Sequence, residues 1–468
     1  MTIDEPQEGT RGDQAELANT PHSGWRIALA LAALAVCAAG AWVVLGRAPE
    51  PSWSSSSPEA QEAFELGLQA RMKLYAMEAQ EHFQRAVELD PDFIAAKLAL
   101  WMYLRHHQPE RAGELHQQIA AADLSQATER ERALVEHHLA MHDDRPDETR
   151  KVVSEYLERF PNDTFLLEIQ CDQLWLQGQW QRAEECFRHL IAEDPNWVVA
   201  QNLLGYLAMA QGRFAEAEEQ FALYRYLAPD QANPHDSLGE LMMVTGRWQE
   251  AEEHLEKALA AKADFCPSWG HLKEVHVLAG DWEGARQVLA RQPQRDTCSQ
   301  MHTIDPVCYV DAEALRSEGN WEGLWTLAAG ERCQGVEERM PIAYFRASLA
   351  TGREDRADEI EQRVHERYGP KDGEAEVRVS HRVLPTLLDA IRLRHDGEPG
   401  KAAELLAPLP EELLFWNVPA ANQRLAVEIE LWQALEEAGD RRAAQTVLER
   451  ARAVNPALTN RWKEYPAG

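Results

Sequence analysis

The chain is 468 residues long, 45% apolar and 27% charged, with a formal net charge of −31. That length is enough for a well-buried core. An acidic balance with no Lys/Arg cluster argues against nucleic acid as a partner and disfavours anionic membrane surfaces as receptors, because both draw their affinity from concentrated positive charge.

In chain order, residues 1–26 form a short polar tail carrying Asp4, Glu5, Glu8, Asp13 and Glu16, expected to be disordered. Residues 27–46 are twenty consecutive uncharged, mostly apolar positions between Arg26 and Arg47. That is the length with which a helix crosses about 30 Å of hydrocarbon, and Trp25 and Trp42 stand near its ends as interfacial aromatics do. A cleaved signal peptide, processed among Ala38 to Ala41, is the competing reading. It fits poorly, because a secretory leader starts with a short basic stretch and not with a long acidic one. Arg11 and Arg26 precede the span, while Arg47 alone follows it before Arg71. The positive-inside rule then puts the N-terminus in the cytoplasm and the bulk of the chain on the periplasmic or extracytoplasmic side of an inner (plasma) membrane. Six cysteines lie beyond the span, an even number compatible with disulfides in an oxidising space. Residues 47–57, with Pro49, Pro51 and four serines, read as a linker. Ser57-Pro58-Glu59 then offers an N-cap, a first-turn proline and an acidic first turn, so a helical body is expected over 58–468.

That body repeats. Gly178, Gly212, Gly246 and Gly280 are 34 residues apart, each followed two positions later by an aromatic (Trp180, Phe214, Trp248, Trp282) and three further on by Ala183, Ala217, Ala251 or Ala285. Pro161, Pro195 and Pro229 keep the same period. Segments such as 198–210 and 213–226 carry apolar residues at 3.6-residue spacing, with Gly212 ending the first helix and Pro229 closing the second. The unit is therefore a helical hairpin. Small residues (Gly205, Ala217, Ala251) belong where its helices cross closely, and large ones (Leu204, Phe221, Leu238, Leu255) fill the gaps between hairpins.

These residues resemble the tetratricopeptide repeat, which expects Leu-Gly in its first helix, Ala and Phe in its second and a terminal Pro. Leu66-Gly67, Ala79, Phe83, Ala86 and Pro91 match it, as do Leu204-Gly205, Ala217, Phe221 and Pro229, and again Leu238-Gly239, Ala251 and Ala258. The match is strong from Pro161 to about Arg291. It is irregular afterwards, where the next comparable aromatic, Trp321, arrives 39 residues after Trp282. About eleven hairpins are expected. The fold class implied is all-α, a superhelical solenoid of helical hairpins with one N-terminal transmembrane helix. The stretch from Pro58 to Asp92, the Glu129-Arg130-Glu131-Arg132 helix start, and the runs 226–230 and 233–238 also look like the repeat regions of bacterial single-span membrane-anchored proteins of this type. The kinase or winged-helix domain that often precedes such repeats is absent here.

Catalytic signatures are missing. Gly400-Lys401 lacks the upstream glycine of a phosphate loop, and neither a Gly-x-Ser-x-Gly elbow nor a Gly-x-Gly-x-x-Gly turn occurs. No catalytic residue, cofactor or metal is expected. His138 and His142 stand four apart on one helical face, a spacing at which two imidazoles can share a metal, but no third ligand is identifiable and two solvated histidines on a polar face are the preferred reading. Cys171 and Cys186 flank the Gly178 turn, seven before and eight after, so antiparallel helices can bring them to bridging distance; two buried thiols are the alternative. Cys298 and Cys308 can pair with each other, with Cys266 or with Cys333.

In the family that the repeats resemble, solvent-facing positions of the first helices line a concave groove that holds a peptide or partner helix. The corresponding positions are Glu168, Asp172 and Trp175; Asn202, Tyr206 and Met209; Asp236, Glu240 and Met243; and Glu274. Acidic groups beside aromatics and methionines imply a protein or peptide partner that is basic and partly apolar, and they do not fit a clamp for acidic peptide termini. The function expected is that of a membrane-anchored protein–protein interaction scaffold, in envelope assembly, secretion or sensing. The alternatives are a cytosolic-facing adaptor of inverted topology and a metal or redox protein using His138, His142 or the cysteines.

Overall fold

Local chemistry starts the body where the sequence places it. The Ser57 hydroxyl accepts from the Ala60 N–H at 3.1 Å and Pro58 opens the first helix. The computed structural model describes residues 53–105, 107–293, 305–368, 379–415 and 417–460, all within one compact unit, Trp53–Gly468. The tail, the apolar span 27–46, residues 47–52, Cys298, Trp416 and Trp462 lie outside the described residues. Among the described residues no helix is long and apolar enough to cross a membrane.

The described elements are helical. In chain order α1 (Pro58–Met72) pairs with α2 (Ala76–Leu89), α3 (Ile94–Leu104) with α4 (Pro109–Ala120), α5 (Glu129–His142) with α6 (Pro146–Arg159), and α7 (Thr164–Leu176) with α8 (Trp180–Glu193). The series continues with α9 (Val198–Ala210) and α10 (Phe214–Leu227), α11 (Asn233–Val244) and α12 (Trp248–Ala261), α13 (Cys266–Ala279) and α14 (Trp282–Arg291), and α15 (Pro306–Ser317) and α16 (Trp321–Ala328). A single turn, α17 (Val336–Arg339), leads into α18 (Pro341–Ala350), which pairs with α19 (Glu354–Tyr368). Then α20 (Val379–His395) pairs with α21 (Pro399–Leu406). After the one-turn α22 (Leu409–Glu412), α23 (Val418–Glu437) pairs with α24 (Arg441–Val454), followed by α25 (Pro456–Asn460). Eleven hairpins result among the described residues.

Three hairpins are tight because their helices cross at a glycine, Gly67, Gly205 or Gly239. A Cβ on Gly205 would lie 2.3 Å from the Phe221 ring, and one on Gly67 would lie 2.5 Å from Phe83. Both rings are fully buried. The turn between helices is a Schellman closure: the Arg213 N–H reaches the Ala208 carbonyl at 2.9 Å and the Gly212 N–H that of Met209, also at 2.9 Å, with Gly212 at φ +72°. The same pair of bonds closes α1 at Leu74 (φ 58°) and α5 at Asp144 (φ 53°), where no glycine stands. Asp144 is 34 residues before Gly178, so the regular period extends one hairpin further towards the N-terminus than glycines alone reveal.

Packing is mostly between neighbours, as in solenoids. Buried clusters follow one another along the chain, one over 60–135, the next over 133–207 and another over 308–391. The central cluster departs from this order, because it combines residues 208–288 with Phe415, Val418 and Ala421. Between described residues two disulfides brace the body: Cys171–Cys186 across the α7/α8 hairpin, with Cα atoms 5.4 Å apart, and Cys308–Cys333, at 5.6 Å. Residues 53–57, read from sequence as linker, pack onto the solenoid. Trp53 lies edge-on between Phe64 and Phe165, and the Ser54 N–H donates to Glu131 at 3.1 Å.

The Gly205→Ala substitution forces a methyl into the Phe221 ring and is expected to cost about 1–3 kcal/mol. Leu74→Gly relieves a left-handed leucine and is expected to gain up to about 1 kcal/mol. Urea midpoints of the two variants against the parent measure both.

Candidate binding site

The residues expected to line an open groove are largely interior. Glu168, Asn202, Asp236 and Glu240 are buried, and Met209 and Met243 are packed in the central core. Tyr206, Trp175 and Glu274 are half-buried, and only Asp172 is exposed. As solvent-facing positions, Glu168, Asn202, Met209, Asp236, Glu240 and Met243 are corrected by this burial, whereas Trp175, Tyr206 and Glu274 keep part of their surface in solvent. The carboxylates of Glu168, Asp236, Glu240 and Glu274 are engaged by groups of the chain itself.

The reason is that both ends of the solenoid fold into its concave side. From the C-terminal end, the Phe415 N–H donates to the Ala210 carbonyl at 3.1 Å, and its ring lies edge-on to Phe214 at 5.2 Å. Glu240 then accepts the Val418 N–H at 3.0 Å, placing a carboxylate at the start of α23, where the helix dipole favours it. The Asn455 amide donates to the carbonyls of Met243 (3.3 Å) and Val244 (3.1 Å), satisfying the end of α11. From the N-terminal end, Arg71 pairs with Glu168, and the Tyr75 hydroxyl accepts from the Ala232 N–H at 3.3 Å. Lys262 pairs with Glu78 and sits over the Tyr75 ring. These contacts join residues up to 212 positions apart. Their one sequence trace is Leu413-Leu414-Phe415, an apolar run outside any helix.

A polar network lies under this closure. Asp236 accepts from the Ser268 hydroxyl at 2.7 Å and lies 3.1 Å from His271 Nδ1. Glu240 accepts from the Tyr206 hydroxyl at 2.7 Å, and Asn202 from Ser237 at 2.8 Å. Burial opposes charge on His271, but Asp236 and Glu240 outweigh it and the imidazole is pushed up to about 9. Asp172, solvent-accessible but partly desolvated by the surrounding protein and beside Glu168, is pushed up to about 7 against the pull of Arg71. Glu274 accepts from the Tyr309 hydroxyl at 3.1 Å.

What stays open is a cavity of about 560 Å³ in the C-terminal half, between α13, α15, α18, α20 and α23. Its walls are mainly apolar, with Leu278, Trp282, Trp321, Ile342, Leu387 and Ile429 among them. The volume and lining are those of a ligand pocket. Its charges are largely engaged: Glu430 takes both Arg346 and Arg394, and Arg316 holds Glu313 at 2.6 Å. Burial, with Arg394 and Arg316 nearby, holds the Arg346 guanidinium below its ordinary value despite Glu430. Arg339 is exposed, and Asn422 and Gln423 add neutral polar groups to the lining. Of the positions expected from sequence only Glu274 lines this cavity; the rest of its lining was missed because the 34-residue register that identifies first-helix positions is lost after Trp282.

Residues 174–241 and 243–304 match the family model of the tetratricopeptide repeat. The central repeats are tetratricopeptide repeats. No curated protein matches the chain. Among solved structures, PilW, described as a widely conserved type IV pilus biogenesis factor, is 18% identical over 44% of this chain and 90% of its own, with a TM-score of 0.36. MamA from Desulfovibrio magneticus RS-1 is 18% identical over 35% of this chain and 92% of its own, with a TM-score of 0.30. The Cut9–Hcn1 hetero-tetramer of the APC/C is 14% identical over 90% of this chain and 79% of its own, at 0.45. Tetratricopeptide repeats imply a protein–protein interaction scaffold.

The His271 charge makes stability depend on pH. A pKa raised from 6.5 to about 9 contributes fully below pH 6.5 and is lost as pH rises through about 9, a fall of about 3 kcal/mol. Chemical denaturation across pH 6–10 is expected to show that slope in the parent and to lose most of it in His271→Gln.

Proposed function

We propose that this chain is a membrane-anchored scaffold whose tetratricopeptide solenoid receives an apolar segment of a partner protein in the cavity between α13, α15, α18, α20 and α23. The observation that carries this reading is the contrast between the two halves of the concave side. The central groove is filled by Phe415, Val418 and Ala421 and by Asn455, while the C-terminal half keeps a cavity of about 560 Å³ with apolar walls. A partner that buries aliphatic or aromatic side chains there displaces water from apolar surface without breaking the internal ion pairs. Recognition, not catalysis, is the activity.

In this reading the anchor is the apolar stretch 27–46, and the Lys/Arg asymmetry around it favours the extracytoplasmic side for the solenoid. The Cys171–Cys186 and Cys308–Cys333 bonds support that side, since structural disulfides persist in oxidising compartments. Tethering raises the effective concentration of partners held at the same bilayer. Envelope assembly, secretion and sensing are processes with such partners.

Two measurements test the reading. An alkaline phosphatase fusion after Gly468 is expected to be active, and activity only of a cytosolic reporter there reverses the topology. A photo-crosslinker at Ala426, on the cavity wall, is expected to capture a protein partner in membranes. Ala426→Trp, which fills the cavity, is expected to lower affinity for that partner at least about tenfold, with the thermal transition retained. Equal binding by the filled variant sinks the cavity as the site.

A further inference from the structure

Six of the chain's 17 histidines lie between residues 106 and 142, and the fold brings together three that sequence spacing does not unite. His138 and His142 share one face of α5, and His116 reaches them from α4 of the preceding hairpin. His116 Nδ1 and His138 Nε2 are 3.0 Å apart. The His142 ring stacks on His116 with centroids 3.5 Å apart and 13° between planes. His138 is buried, His116 half-buried and His142 exposed, so burial falls off along the three imidazoles.

We propose that His116, His138 and His142 form a binding site for a divalent late first-row ion of the zinc or copper class. Two nitrogens bound at about 2.0–2.1 Å to a tetrahedral ion stand about 3.3 Å apart, so the His116–His138 pair needs to open by only a few tenths of an ångström. An imidazole-rich set suits zinc and copper and not magnesium or calcium. The three rings do not yet converge, since the His138 and His142 centroids are 6.4 Å apart. His142 is exposed, and turning it off the stack by rotation about its own side-chain bonds supplies the third nitrogen. Asp143, whose carboxylate lies 3.5 Å from His142 Nδ1, is placed to orient that ring from behind. Water completes the coordination. The ion would tie the α3/α4 hairpin to the α5/α6 hairpin.

A second cluster, Glu361, His365 and Asp389, is less suited, because Arg392 donates to Glu361 at 2.8 Å and leaves a guanidinium beside any incoming cation.

The test is titration of the metal-stripped full chain with Zn2+ by calorimetry and with Co2+ by visible absorption. One equivalent is expected to bind with micromolar or tighter affinity, and Co2+ to give the intense ligand-field bands of tetrahedral nitrogen coordination. His142→Ala and His116→Ala, which remove groups that are not fully buried, are each expected to weaken binding at least about tenfold with an unchanged circular dichroism spectrum. Binding of the same strength in the double variant assigns the metal to the acidic surface at large and overturns the proposal. So does the lack of any Co2+ band in the parent.

Discussion

The close crossing of paired helices, which in three hairpins leaves no room for a side chain at Gly67, Gly205 or Gly239, is the constraint on which the rest of this molecule depends. A methyl group at Gly205 or Gly67 has nowhere to go, because the Phe221 or Phe83 ring already occupies the place. With the crossing fixed, the left-handed turn residue fixes the reversal, and the repeat of both fixes the curvature. That curvature lets the two ends meet the middle: Tyr75 reaches Ala232, and Asn455 reaches Met243 and Val244. The closed groove and the surviving cavity are therefore consequences of helix spacing.

Much of the local fold is legible in the sequence because it is written in short-range rules. The glycine period, the Ser57 cap and the Ala and Phe positions each have a local cause, and Cys171 and Cys186 meet because a tight antiparallel hairpin separates them by one turn. Leu74 and Asp144 hide their turns, because the Schellman hydrogen bonds hold a residue left-handed whether or not it is glycine. Closure of the groove leaves almost no periodic signature. A partner contact and a self contact ask for the same side chains, so Glu240 and Met243 look like ligand-binding positions while serving the N-terminus of α23 and the central core.

The acidity of the chain takes on a different meaning in the structure. Charges in the concave side are bound to one another: Glu168 to Arg71, Glu430 to Arg346 and Arg394, and Asp236 and Glu240 to His271. A buried carboxylate with its partner removed is costly, so these pairs fix register between distant hairpins more than they advertise a surface to a cationic ligand. What remains for a partner to recognise is mainly shape and apolar area.

Trp53 is wedged among Phe64, Phe165 and the Arg130 guanidinium, which belong to three different hairpins. Linear arrays ordinarily peel from a free terminal unit, yet here a pull on the leading strand is shared at once by α1, α5 and α7. Traction along the polypeptide must therefore shear several units together before the first can unravel, which gives the array a mechanical grip at the end where fraying would otherwise begin.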